Sequence, residues 1–158
     1  MAIIVDAVRT PIGRVNQSLS HLTASELGSE VVKALLKRNG LTCVDEVIFS
    51  NCFNSNFGNI ARIVTLKSGM PISVPSICID RRCSSSLDAV AYAAMLIDTG
   101  NADIVIAGGT ESCSKQPLLV SATNYEPIEV IESPNEIGNP SMIQSAENIA
   151  NQYSISRE

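Results

Sequence analysis

The sequence predicts an α/β layered domain with a largely parallel sheet, on three observations. Short apolar, β-branched runs recur at residues 3–7, 44–49, 76–80 and 103–107. Segments with helical spacing of apolar residues stand between them. Glycine and proline punctuate the joins, at Pro11-Ile12-Gly13, Gly40, Gly69, Pro71, Pro75, Gly100 and Gly108-Gly109. Nearly continuous apolar strands that alternate with helices are the pattern of a sheet covered on both faces.

Residues 3–7 read as the first strand, ended by the turn Arg9-Thr10-Pro11-Ile12-Gly13-Arg14. Thr23-Ala24-Ser25-Glu26 opens the first helix, with Thr23 as N-cap and Glu26 at the capping-box position. Its apolar face runs Ala24, Leu27, Val31, Ala34, Leu35, and Asn39-Gly40 stops it. A second strand over 44–49 leads into a polar loop over 50–59, and a helix over 60–67 follows. The strand over 76–80 ends in the charged turn Asp80-Arg81-Arg82, and Cys83 begins a long run of small and apolar residues, 84–99, read as a buried helix. A fourth strand, 103–107, closes at Gly108-Gly109. Beyond Glu111 the chain turns rich in Pro, Ser and Asn without sustained periodicity. Residues 141–153, with Met142, Ala146, Ile149 and Ala150 at helical spacing, then form one amphipathic helix.

With 158 residues, 45% of them hydrophobic and no Trp, the chain can bury a sizeable, mostly aliphatic core. A net charge of −5 argues against nucleic acid or an anionic membrane as partner. The five cysteines (Cys43, Cys52, Cys78, Cys83 and Cys113) are odd in number and lack paired spacing, so no disulfide framework is read. There is no CxxC motif, and His21 is the one histidine, so no metal site is expected. The opening MAIIVDAVRTP lacks a cleavable signal, no run is long enough to span a bilayer, and a reducing cytoplasm is the expected setting.

The chemistry concentrates at Cys83. A cysteine at the mouth of a helix sits at the positive end of the dipole, where a thiolate is favoured, and amides of the same turn can hold an oxyanion. The same position also suits an inert buried cysteine, and location alone leaves both readings open. His21 lacks an Asp or Cys partner nearby in sequence and reads as a turn histidine; Glu111 reads as a structural anchor at a strand end.

Four blocks, IIVDAVRTPIGR, GNIAR, DRRCSSSLDAV and ADIVIAGGTESCS, together with the later SMIQSAENIANQYSISRE, resemble the thiolases in the same order along almost the whole chain. The resemblance implies a thiolase-like half-domain over 1–112 with a five-stranded sheet, and the beginning of a substrate-covering loop domain over 113–158. It makes Cys83 the acyl-thioester nucleophile and sets Met142 where a methionine lines the pantetheine tunnel. Coenzyme A and acyl-CoA are then substrates, and no permanently bound cofactor is implied. Cys83-Ser84-Ser85-Ser86 departs from the family's Cys-Ala/Gly-Ser-Gly: Ser86 replaces a glycine and can crowd the thiol, and the CSSSL string also resembles ketosynthases. Cys113 stands where thiolases often carry Met.

The family's His-Gly, Asn-Glu-Ala and second-cysteine motifs have no counterpart in these 158 residues. Positioned proton transfer contributes about 10²–10⁴ in rate, so this polypeptide is expected to be inactive alone. A homo-oligomer or a C-terminal thiolase half is the expected partner. The competing readings are a non-catalytic thiolase-fold binding or assembly protein, a truncated gene product, and, least supported, a ketosynthase-like protein.

Overall fold

Helix α1 (Ala24–Asn39) begins where local chemistry says it should. The Thr23 hydroxyl accepts from the Glu26 N–H at 3.3 Å, and the Glu26 carboxylate accepts from the Thr23 N–H at 2.8 Å, completing the capping box. Those bonds hold the Glu26 carboxyl below its usual range. At the other end Gly40 takes a left-handed conformation, φ 64°, that glycine alone adopts freely.

The computed structural model describes residues 1–53, 58–128 and 131–158; the loop expected over 50–59 lies in part outside them. Two compact units divide the chain, Met1–Pro117 and Leu118–Glu158. In the first, α1 is followed by β1 (Glu46–Ser50), α2 (Ile60–Lys67), β2 (Ser76–Cys78), α3 (Ser85–Asp98) and β3 (Val105–Gly109). The three strands form one sheet in the order β2-β1-β3, every pairing parallel, with Ile48 opposite Ile77 on one side and Ala107 on the other. A largely parallel α/β sheet is therefore what the chain forms.

Alternation along β1 divides the core. Val47 and Phe49 face α1 and α2, where they pack with Val32, Ile60 and Val64. Ile48 faces α3 and packs on Ala89 and Ala93. Asn59 caps α2 by accepting from the Arg62 N–H at 3.0 Å, and the Arg62 guanidinium donates to the carbonyls of Ile72 and Val74, tying the helix to the approach of β2. At the base of the sheet, Asp45 accepts from the Asp103 and Ile104 N–H groups at 2.8 Å each, which lowers its pKa.

Three expectations are corrected. The sheet has three strands among the described residues, not the five that the family resemblance implies. The run 3–7 is not a strand: Ile3, Ile4 and Val5 are 76–84% exposed, and residues 1–10 lie outside any ladder. β-branched composition favours a pleated, half-buried surface but does not supply one. Ion pairs fasten this segment instead, the terminal amine to Asp98 at 3.1 Å and Asp6 to Arg38 at 3.0 Å. Helix α3 is not buried all round either. Only the stripe Ser85, Ala89, Ala93 is buried, while Leu87, Val90 and Met95 face outward.

In the second unit, Val120 and Pro127 bridge antiparallel across a turn, and Asn139 accepts from the N–H groups of Glu132 and Ser133. Helix α4 (Met142–Tyr153) is capped by Ser141, whose hydroxyl accepts from the Gln144 N–H at 3.2 Å; Met142 opens it with its side chain exposed. Residues 129 and 130 of the Pro/Ser/Asn-rich stretch lie outside the described residues. Among the described residues no helix is long and apolar enough to cross a membrane.

Candidate active site

A hydrogen-bonded elbow presents Cys83. After β2 the chain bends through Asp80 and Arg81 into a single 3-10 turn, Arg82–Ser84, that runs directly into α3. Arg82 has φ 50°, a left-handed conformation for a residue with a side chain, and such strain costs on the order of 1–3 kcal/mol. Three contacts hold it. The Asp80 carboxylate accepts from the Arg82 N–H at 2.9 Å. The Ser85 hydroxyl accepts from the Arg81 N–H and donates to the Arg82 carbonyl, both at 2.6 Å. Arg81 is in turn fixed by Asp88 on the first turn of α3, 2.8 Å away. Cys83 stands exposed at the crest.

The elbow's amides are largely committed to its own shape. The N–H groups of Arg81, Arg82, Ser84 and Ser85 bond to Ser85 Oγ, Asp80 Oδ1, the Arg81 carbonyl and the Arg82 carbonyl. An oxyanion donor from this turn has to come from Cys83 or from the residues after Ser85, a narrower set than the sequence suggested.

The block Gly108-Gly109-Thr110-Glu111-Ser112 is the frame beneath the elbow, and each residue has a separate task. A Cβ on Gly108 would sit 3.0 Å from the Phe49 ring. A Cβ on Gly109 would lie 2.9 Å from Ser50 Oγ, 3.1 Å from the Ser50 carbonyl and 3.0 Å from Ser86 Cβ. Gly109 thus makes room for Ser86, three residues after Cys83. Thr110 and Ser112 donate to the Ala24 and Leu22 carbonyls at 2.8 Å, tying β3 to the mouth of α1. The Glu111 carboxylate accepts from the backbone N–H groups of Cys52, Phe53 and Ser112 at 2.9–3.2 Å. That is the anchoring role expected of it.

The loop anchored by Glu111 brings a second thiol to the site. Half-buried Cys52 lies close enough to the elbow to feel Cys83, and its own pKa is pushed up to about 11. Burial is the first cause, followed by the neighbouring Cys83 thiol and the Glu111 carboxylate; Arg82 opposes them. Sequence reasoning did not find this neighbour, because nothing local in either segment signals the other. His21 is exposed in the turn before α1, and Glu26 is occupied in its capping box and by Lys67 at 3.7 Å. Among the described residues no group of His, Cys, Asp and Glu is placed to hold a metal ion.

A cysteine on a strained strand-to-helix turn, at the strand ends of a parallel sheet, gives this α/β domain an elbow-like turn. The family described as "Thiolase, N-terminal domain" matches residues 2–158, and the chain belongs to the thiolase family. The YhfS protein of Bacillus subtilis is 42% identical over 156 residues, covering 99% of this chain and 40% of that protein. An acetyl-CoA acetyltransferase of Allochromatium vinosum is 40% identical over 169 residues, covering 99% and 43%. The solved Acat5 thiolase from Ascaris suum, in complex with coenzyme A, aligns with a TM-score of 0.83 at 31% identity, covering 95% of this chain and 42% of that one. The chain spans about two-fifths of the length of the relatives it matches.

Proposed function

We propose that this polypeptide supplies the nucleophile half of a thiolase site, with Cys83 carrying the acyl group as a thioester between acyl-CoA and CoA. The observation that carries this is the exposed Cys83 thiol on its fixed elbow, in a chain of thiolase family. The Cys83 thiolate attacks the thioester carbonyl of acetyl-CoA, the C–S bond to coenzyme A breaks, CoA leaves as its thiolate, and the acetyl group remains on Cys83. With a 3-ketoacyl-CoA the bond broken is carbon–carbon, and a second CoA collects the acyl group.

That second chemistry needs a proton moved at carbon. The Glu111 carboxylate is engaged by three backbone N–H groups, and His21 lies in the turn before α1, so neither is offered as the base. Acylation is therefore the half-reaction assigned to this chain by itself. Met142, exposed at the start of α4, is proposed as a contact for the pantetheine arm, by likeness to the family and by its soft, adaptable thioether.

Incubation with acetyl-CoA is expected to leave a single acetyl adduct in the intact mass spectrum, absent from Cys83→Ser. No adduct on a chain that circular dichroism shows folded would remove the acyl-transfer reading and favour a thiolase-fold binding module. The partner proposed is a second α/β layer, from a second copy or a C-terminal thiolase half, because Leu87, Val90 and Met95 form an outward apolar face on α3. Light scattering is expected to show self-association in the isolated chain, and a stable monomer at high concentration would argue against that partner.

A further inference from the structure

We propose that Arg82 is a positioning residue for acyl transfer, its guanidinium bracing the elbow that carries Cys83 against the loop at Cys52. Arg82 immediately precedes Cys83 and holds φ 50°, a conformation that glycine adopts freely and a residue with a side chain does not. Its main chain is fixed within the elbow, the N–H by Asp80 at 2.9 Å and the carbonyl by the Ser85 hydroxyl at 2.6 Å. Its side chain reaches outside the elbow. The guanidinium donates to the Cys52 carbonyl at 3.5 Å and stands 3.8 Å from the second carboxylate oxygen of Asp80. The loop it meets is itself held, because the Glu111 carboxylate accepts from the N–H groups of Cys52 and Phe53 at 2.9 and 3.0 Å. Arg82 therefore links the chain leaving β2 to the chain leaving β1, which Glu111 ties to the chain leaving β3.

Magnitudes separate this role from a purely structural one. The Arg82 side chain is 47% exposed, and the contacts of an exposed guanidinium return less to the fold than left-handed strain costs it. Glycine would suit the backbone better. What arginine adds is the contact across to Cys52, which fixes where the elbow stands against the loop. A thiol attacks a thioester carbonyl fast only when it is held within reacting distance and direction, and small displacements are expensive in rate. The consequence for acyl transfer rests on the proposed function; the bracing of the elbow does not.

The test uses the full chain and three variants: Arg82→Ala keeps the strain and removes the brace, Arg82→Gly removes both, and Arg82→Lys keeps a cation with similar reach. Alkylation of Cys83 by iodoacetamide is followed by peptide mass, with exposed Cys43 as internal control. Ala and Gly are expected to slow Cys83 several-fold and alike, although the urea midpoint of Gly lies above that of Ala. Lys is expected to keep most of the wild-type rate. Wild-type reactivity in Ala overturns the proposal, and so does a Lys variant as slow as Ala. Rates that follow the urea midpoints, with Gly faster than Ala, make Arg82 a structural residue only and overturn it as well. Acetylation by acetyl-CoA is read on the same proteins and is expected to follow the alkylation rates. A wild-type chain that alkylates at Cys83 but takes no acetyl group counts against the proposed function alone, because alkylation scores the brace without it.

Discussion

Gly28→Val is expected to lower the stability of the first unit by about 3 kcal/mol. Overpacking a tight core costs about 1–3 kcal/mol and occasionally more. A Cβ at Gly28 alone would lie 2.8 Å from a Val64 methyl, 3.0 Å from the Phe49 ring and 3.2 Å from Thr110 Cγ2. None of these can yield easily. Val64 is β-branched in a helix and held to one rotamer. Thr110 is tied through its hydroxyl to Ala24. The Phe49 ring is confined from its other edge by Gly108, so two glycines clear the space for one aromatic side chain. A helix-propensity gain of about 0.3 kcal/mol on replacing glycine with valine offsets little of this. Urea denaturation of the wild type and the variant measures the loss. In a Phe49→Leu background Gly28→Ala is expected to cost less than in the wild type, and equal costs in both would show that the ring is not the obstacle.

The same elements show what was legible in the sequence. Helix ends were, because capping is local chemistry. Thr23 with Glu26, Gly40, and the span Ile60–Lys67 all stand where residue type alone placed them. Strand existence was legible too, but strand limits were not. The runs 44–49 and 103–107 pair as Glu46–Ser50 and Val105–Gly109, displaced toward the C-terminal end. A ladder is decided by its partner, and at the start of β3 the Asp45 side chain takes the N–H groups of Asp103 and Ile104 before pairing begins. Residues 3–7 carry strand composition without a ladder, and α3 carries an apolar sequence of which only one stripe finds a neighbour. Periodicity reports what could be buried; packing decides what is.

The site divides in the same way. Position and family resemblance single out Cys83 and the Gly-Gly-Thr-Glu-Ser block. What each member of that block does depends on atoms more than twenty residues away, and no local pattern encodes it. Ser86 lies against β3, where Gly109 lacks the Cβ that would meet it. Cys52 is held near the elbow by distant partners, its N–H by Glu111 and its carbonyl by Arg82.

Ser85→Ala is expected to affect both fold and chemistry, because one hydroxyl holds the elbow at two points. Ser85 is 2% exposed. Its removal takes from the Arg81 N–H its partner at 2.6 Å, while the Arg82 carbonyl keeps the bond from the Ser85 N–H. A lost partner at a part-buried N–H costs about 1–2 kcal/mol, and alanine returns about 0.5 kcal/mol of helix propensity, so a net loss of about 1 kcal/mol is expected in a denaturant titration. The chemical effect follows from strain. With φ at 50°, Arg82 stays in the left-handed region only while its surroundings hold it there. Without the Ser85 bonds the turn relaxes, and Cys83 loses its fixed place at the mouth of α3. Alkylation by iodoacetamide is therefore expected to slow several-fold at Cys83 and to stay unchanged at exposed Cys43, which precedes β1 and serves as the internal control. Equal slowing at both would mean general unfolding. Unchanged reactivity at Cys83 beside a normal loss of stability would mean that the elbow positions the backbone without setting the reactivity of its thiol.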